Sequence, residues 1–308
     1  MCSVAHSEDE GAGRELEKLI DAAVDESLWY KSALETKNDP LFHYTNAAGL
    51  LGIVQTHRLW ATHLRYLNDS SEMDYSTPLI RAAVAERFDL DTADQFIQGL
   101  QDFDEHTGHY VVCFSDGGDL LSQWRHYAES GGYAIGFDYQ RFQAELPEGA
   151  VLRRVVYEPD AQQGIIADLL DRVARVVPPR PDRPFDHPDH EQWRKTLAHA
   201  FARLYSEFFF MRAYFKFRAF SDEREWRLLA VLDHRKKLDI GLRALRNMVV
   251  PYITYPPSDD QSLRLPITTI VHGPTANPRW AESLLTFPLR HLGYRGVDIK
   301  RSEIPLRF

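Results

Sequence analysis

Apolar positions divide the chain into stretches of two different periods. Between Arg14 and Tyr30 they fall at Leu16, Leu19, Ile20, Ala23, Val24 and Leu28, three or four apart, which predicts an amphipathic helix. Lys37-Asn38-Asp39-Pro40 interrupts that pattern. The run Leu41-Phe42-His43-Tyr44-Thr45 that follows is β-prone, and Leu50, Leu51, Ile53 and Val54 then resume a helical repeat. His43 and Thr45 stand two apart on the expected strand, so both can face one cleft. Leu59 to Tyr66 reads as a second strand, Leu67 to Glu72 as a polar loop, and residues 76–103 as helical.

A second informative block opens with Tyr110-Val111-Val112-Cys113-Phe114-Ser115, an apolar run suited to a buried strand. Asp116-Gly117-Gly118-Asp119 supplies a turn, with Asp119 as a helix cap for Leu120 to Tyr127. Ser130-Gly131-Gly132 ends that helix before the strand Tyr133 to Asp138, and Arg153 to Tyr157 reads as another strand. Residues 160–176 and 191–214 read as helices flanking a proline-rich surface loop, Pro178 to Pro184. A third block, Lys216 to Val231, leads from a polar turn into a strand. Its two-residue period puts Glu223, Glu225 and Arg227 on one face. Further strands are expected near Val249 to Thr254 and Ile267 to His272, then a helix around Pro278 to Leu292.

Strands scattered among helices indicate an α+β fold. Residues 1–40 form an N-terminal helical extension, and 41–308 one domain with a helical and proline-rich insertion at about 160–215. A length of 308 residues, 44% hydrophobic and 26% charged, is ordinary for a globular protein. The net charge of −9 gives no general attraction to nucleic acid or anionic membrane, although Arg212, Lys216 and Arg218 cluster locally. Only Cys2 and Cys113 are present, so a disulfide framework is not expected. With no membrane-length apolar run and no signal-like start, the chain reads as cytoplasmic, with no membrane partner. His187, His190, Glu191 and His199 do not follow a zinc spacing, and no metal is expected.

His43-Tyr44-Thr45, the block from Cys113-Phe114-Ser115 to Gly136-Phe137, and Glu223-Arg224-Glu225-Trp226-Arg227 together resemble a bacterial family, the domain of unknown function 2971. The resemblance runs from about Leu41 to Leu306, through Val271-His272-Gly273-Pro274 and Ser302-Glu303-Ile304-Pro305. The order of the pieces is also similar to the ADP-ribosyltransferase superfamily of the histidine, tyrosine and glutamate type. There a strand carries His with Ser or Thr two residues on, a later segment carries Ser and Tyr, and a late strand carries Glu. His43 with Thr45, Ser122 with Tyr127, and Glu225 match those three motifs.

That resemblance implies a split β-sheet core with peripheral helices, and NAD as co-substrate without a metal. It implies transfer of ADP-ribose to a macromolecular acceptor, protein or nucleic acid, with release of nicotinamide. An oxocarbenium-like transition state needs a carboxylate beside the ribose, the role implied for Glu225. Tyr127 or Trp124, with Tyr133 as a third choice, would stack on nicotinamide. His43, Tyr44, Thr45, Ser115 and Ser122 would orient the dinucleotide, with Arg65 and Asn68 on pyrophosphate or acceptor. Glu223, Lys216 and Arg218 would address the acceptor, unless Glu223 pairs with Arg227 instead. An NAD glycohydrolase uses the same residues, and an inactive nucleotide-binding module has the same fold. Members of this broad type are often toxins or anti-phage effectors, which brings an antitoxin or regulatory partner within the expectation.

Overall fold

A computed structural model describes residues 15–29, 37, 40–67, 72–106, 108–127, 132–146, 150–182, 187–231, 240–245, 247–256, 264–274 and 281–305. The chain divides into two compact units, each assembled from three segments. One comprises residues 1–35, 70–107 and 156–218, and the other 36–69, 108–155 and 219–308. The helices predicted at 76–103 therefore group with the N-terminal helix and with the segment read as an insertion.

The first unit is helical. Its described helices cover 15–25, Glu72–Tyr75, Thr77–Arg87, Leu90–His106, Pro159–Val176 and Pro188–Tyr214. Residues 76–103 are two helices rather than one, because Asp89 accepts the Thr92 amide at 2.6 Å and starts a second helix. Ile20, Val24, Ile80, Val84, Leu169, Leu204 and Phe208 are buried in this unit. Two buried polar pairs tie its helices together: Trp29 Nε1 donates to Glu207, and Arg212 pairs with Asp104 at 2.5 Å. Among the described residues no helix is long and apolar enough to cross a membrane.

The second unit is a mixed ten-stranded sheet with helices, so the whole chain is α+β. β1 (Leu41–Thr45) leads through α1 (Ala47–Thr56) to β2 (Leu59–His63), which ends in a 3-10 turn at Leu64–Tyr66. β3 (His109–Ser115), α2 (Leu121–Tyr127), β4 (Tyr133–Phe137), α3 (Tyr139–Ala144) and β5 (Ala150–Arg154) follow. β6 (Glu225–Val231) comes after a 3-10 segment at Arg218–Glu223. The hairpin β7 (Gly241–Leu245) and β8 (Met248–Tyr255), then β9 (Ile267–His272), α4 (Ala281–His291) and the parallel edge strand β10 (Asp298–Arg301) complete it.

The sheet forks at β3. One edge of β3 pairs with β6 along its whole length. The other edge is shared: β2 pairs at Tyr110 and Val111, whereas β1 pairs only at Ser115. β1, β4, β9 and β10 therefore diverge from β2, β8 and β7, leaving a gap beside Cys113. One face of the sheet buries Leu41, Tyr110, Val112, Phe114, Ile135, Phe137, Trp226, Leu228 and Ile270 in a continuous core. A smaller cluster of Tyr44, Trp124, Ala134 and Val271, with Phe42 and Ile304, covers the other face near the fork. Glycine is required where Phe42 lies flat: a Cβ on Gly118 would stand 2.5 Å from its ring, and one on Gly136 2.9 Å.

Candidate active site at the fork of the sheet

The fork opens a cleft of about 60 Å³ lined by Phe42, His43, Tyr44, Cys113, Phe114, Ser115, Gln123, Glu223 and Glu225. That is room for roughly four or five waters. His43 and Glu225, far apart in sequence, thus border the same space. Strand alternation starts them on opposite faces of the sheet, since Phe42 is the residue level with Ser115 and Ser115 is level with Glu225. The gap between β1 and β3 removes the obstacle, because the His43 ring turns into it and Nδ1 lies 2.9 Å from the Cys113 carbonyl. A carbonyl can only accept, so Nδ1 carries the proton and Nε2 is left as an acceptor. Loss of solvation holds the imidazole below its ordinary pKa, and the charge of Arg243 adds to this against the opposing Cys113 bond. His43 is therefore neutral at neutral pH.

Glu225 is the first residue of β6 and is buried. Its carboxylate receives both arms of the Arg227 guanidinium, Nε to Oε1 at 2.8 Å and Nη2 to Oε2 at 2.9 Å. The two-residue strand period makes this fork-to-carboxylate geometry available within one strand. Arg227 occupies two of the roughly four acceptor positions of the carboxylate. The backbone around Glu225 is fixed on several sides. Ser115 Oγ donates to the Glu223 carbonyl at 2.8 Å, the Asp116 amide to Arg224 at 2.9 Å, and the Val155 amide to Glu225 at 2.9 Å.

Glu223 does not share a strand face with Glu225, contrary to the two-residue reading. It ends a 3-10 segment, and Arg224, at φ 46°, turns the chain left-handed between them. Both carboxylates nevertheless line the cleft. Arg227, the alternative partner for Glu223, pairs with Glu225 at 2.8 Å.

Tyr44 lines the cleft but its hydroxyl is already engaged. It donates to the Gly117 carbonyl at 2.8 Å and accepts from the Leu120 amide at 2.9 Å, pinning the glycine turn to β1. Burial pushes its pKa well above the ordinary phenol range. Trp124 is not a stacking platform: it is wholly buried, edge-on to Tyr44 at 4.7 Å, with Nε1 donating to Asp119 at 2.6 Å. Asp119 also accepts from Ser302 Oγ at 2.5 Å and the Glu303 amide at 2.8 Å, so this expected helix cap anchors the C-terminal stretch instead. Tyr133 is half-buried and edge-on to His272 at 5.0 Å.

Thr45 does not line the cleft, and its hydroxyl lies against Gly49 in the first turn of α1. Ser122, with Oγ 3.5 Å from the Asp222 carbonyl, stands just outside, and its neighbour Gln123 lines the cleft in its place. Arg65 is exposed on the 3-10 turn after β2 and is not part of the lining. Lys216 and Arg218 belong to the helical unit, where Lys216 is buried and Arg218 Nε lies 3.7 Å from Glu158. Asn68 and the side chain of Tyr127 lie outside the described residues. Sequence reasoning missed Phe42, Cys113, Phe114 and Gln123 of the lining: the first three read as ordinary strand residues, and a polar residue beside a tryptophan on a short helix carries no periodic signal.

Residues 123–228 match the family described as protein of unknown function (DUF2971). Over that third of the chain the protein is similar to this family, and the stretch runs from Gln123 of the cleft through Glu223 and Glu225. No activity comes with that description. No curated protein and no solved structure matches the chain.

Proposed function

We propose that the cleft at the fork binds NAD and that the chain is an NAD-dependent ADP-ribosyltransferase. The observation that carries this reading is the meeting of a neutral histidine and a clamped glutamate in one cleft. A neutral imidazole with Nδ1 committed to the Cys113 carbonyl offers Nε2 to a ribose hydroxyl. A carboxylate held flat by Arg227 offers a fixed negative charge to a ribose carbon that is becoming positive.

In this reading the bond between nicotinamide nitrogen and ribose C1′ breaks, and its electron pair leaves with nicotinamide, which departs neutral. Glu225 stabilises the positive ribose in the transition state. An acceptor nucleophile then bonds to C1′ and gives up its proton, for which Glu223 is the nearby base. Phe42 and Tyr44 supply the aromatic lining. The cleft is too small to enclose a dinucleotide, so much of the ligand extends beyond it along the unit's surface.

Incubation with NAD is expected to release nicotinamide, and Glu225→Gln to abolish release while the circular dichroism spectrum is retained. Full release by that variant, or none by the wild-type chain, overturns the proposal. Labelled NAD offered with protein and nucleic-acid fractions identifies the acceptor. Label recovered only as free ADP-ribose assigns the chain as a glycohydrolase.

A further inference from the structure

The far flank of the fork carries a cation that the proposed reaction does not use. Thr62 pairs with Val111 of β3 and Tyr252 of β8, so these three share a face of the sheet. Trp60 lies on that face two residues earlier, level with Cys113 by continuation of the same register. Arg243 of β7 joins them through its pairing with Val250, two residues from Tyr252. Its Nη2 donates to Thr62 Oγ1 at 2.6 Å, and its guanidinium carbon stands 5.5 Å from the centre of the Trp60 ring. Trp60 packs on Tyr252 at 4.6 Å yet is 46% exposed.

Arg243 has no carboxylate partner among the described residues, and its buried Nε has no acceptor there. A half-buried guanidinium without a carboxylate loses hydration, and the Trp60 ring and the Thr62 hydroxyl return only part of it. Its field nevertheless reaches His43 at the cleft, where it disfavours protonation. A charge with no counter-ion among the described residues, held in a fixed plane beside an exposed indole, matches a ligand that brings a phosphate and a base together.

We propose that Arg243 binds the diphosphate of a nucleotide whose base stacks on Trp60. As an assignment within the co-substrate site the inference rests on the NAD reading. As a binding site for a nucleoside diphosphate it is tested without turnover.

The experiment titrates the full chain with ADP and with adenosine, followed by calorimetry and tryptophan fluorescence. ADP is expected to bind at least about ten-fold more tightly than adenosine, in line with a charge-assisted bidentate contact. Arg243→Gln should bring ADP down to the level of adenosine, Arg243→Lys should restore part of the difference, and Trp60→Phe should remove most of the fluorescence change. Near-ultraviolet circular dichroism checks that each variant is folded. Equal affinity for ADP and adenosine, an ADP affinity unchanged in Arg243→Gln, or a defect confined to a single-stranded oligonucleotide overturns the site. The two proposals fail separately. ADP binding that depends on Arg243 without nicotinamide release removes the transferase alone, whereas release with an unchanged KM in Arg243→Gln removes the phosphate site alone.

Discussion

Glu225 and Arg227 form a buried ion pair inside a single strand, at the wall of the cleft. Side-chain exposure is 8% for Glu225 and 2% for Arg227, so both charges have left bulk water. Glu225→Ala deletes the carboxylate and leaves the guanidinium in place, a change that costs about 3–5 kcal/mol for a buried pair. Arg227→Met strands the carboxylate and should cost a similar amount. The double variant Glu225→Ala/Arg227→Met removes both charges and keeps much of the aliphatic volume, so it should be more stable than either single variant. Urea unfolding monitored by fluorescence, with each variant at equal concentration, yields the coupling energy as the departure from additivity. A coupling of about 3 kcal/mol is expected, and one below about 0.5 kcal/mol refutes the claim that the pair is desolvated. The same double variant should release no nicotinamide from NAD despite its recovered stability, and release at the wild-type rate would take Glu225 out of the proposed reaction.

Other expectations follow from neighbouring contacts. His43 has a depressed folded pKa, so the unfolded chain binds more protons below the ordinary histidine pKa. Its contribution to stability is present above about pH 6.5 and is lost as pH falls toward the folded value, with a slope of at most about 1.4 kcal/mol per pH unit. Urea midpoints at pH 7.5 and 5.5 should therefore fall less in His43→Gln than in the wild type, and equal falls would exclude a buried neutral ring. The Asp119 carboxylate accepts three hydrogen bonds, so Asp119→Ala should cost about 3 kcal/mol or more and expose residues 302–305 to limited proteolysis. An unchanged cleavage pattern would show that the C-terminal stretch is held elsewhere. Gly118→Ala drives a methyl group into the Phe42 ring and should lose about 1–3 kcal/mol, with Phe42→Leu restoring part of it. Equal losses in the single and double variants would count against that contact.

The α+β class and most strands were legible because periods of two and of three to four survive in the apolar positions. The hairpin strand β7 was not, since Gly241 to Leu245 mixes exposed Leu242 with half-buried Arg243 and shows no apolar face. The break at Asp89 was hidden because Phe88 continues the helical apolar repeat and only the Asp89 to Thr92 cap interrupts it. His43 and Glu225 were readable as candidates from their neighbours in sequence. Their meeting was not readable, because alternation alone sets them on opposite faces and only the fork at β3 brings them to one cleft. The position of Trp124 misled for a physical reason: an aromatic residue on a short helix beside a glycine turn serves equally well as core, and here Asp119 and Tyr44 take it. The grouping of residues 70–107 with the N-terminal helix rests on long-range packing that no local pattern encodes.

A recess made by the parting of two strands has walls whose separation is set by main-chain pairing on either side. Such a recess stands ready before any guest arrives, so entry should follow the rate of collision and show no lag from a slow gating step. Widening it means unzipping β1 from Ser115 or β2 from Val111, and a variant selected for a bulkier guest would be expected to change at those two rungs first.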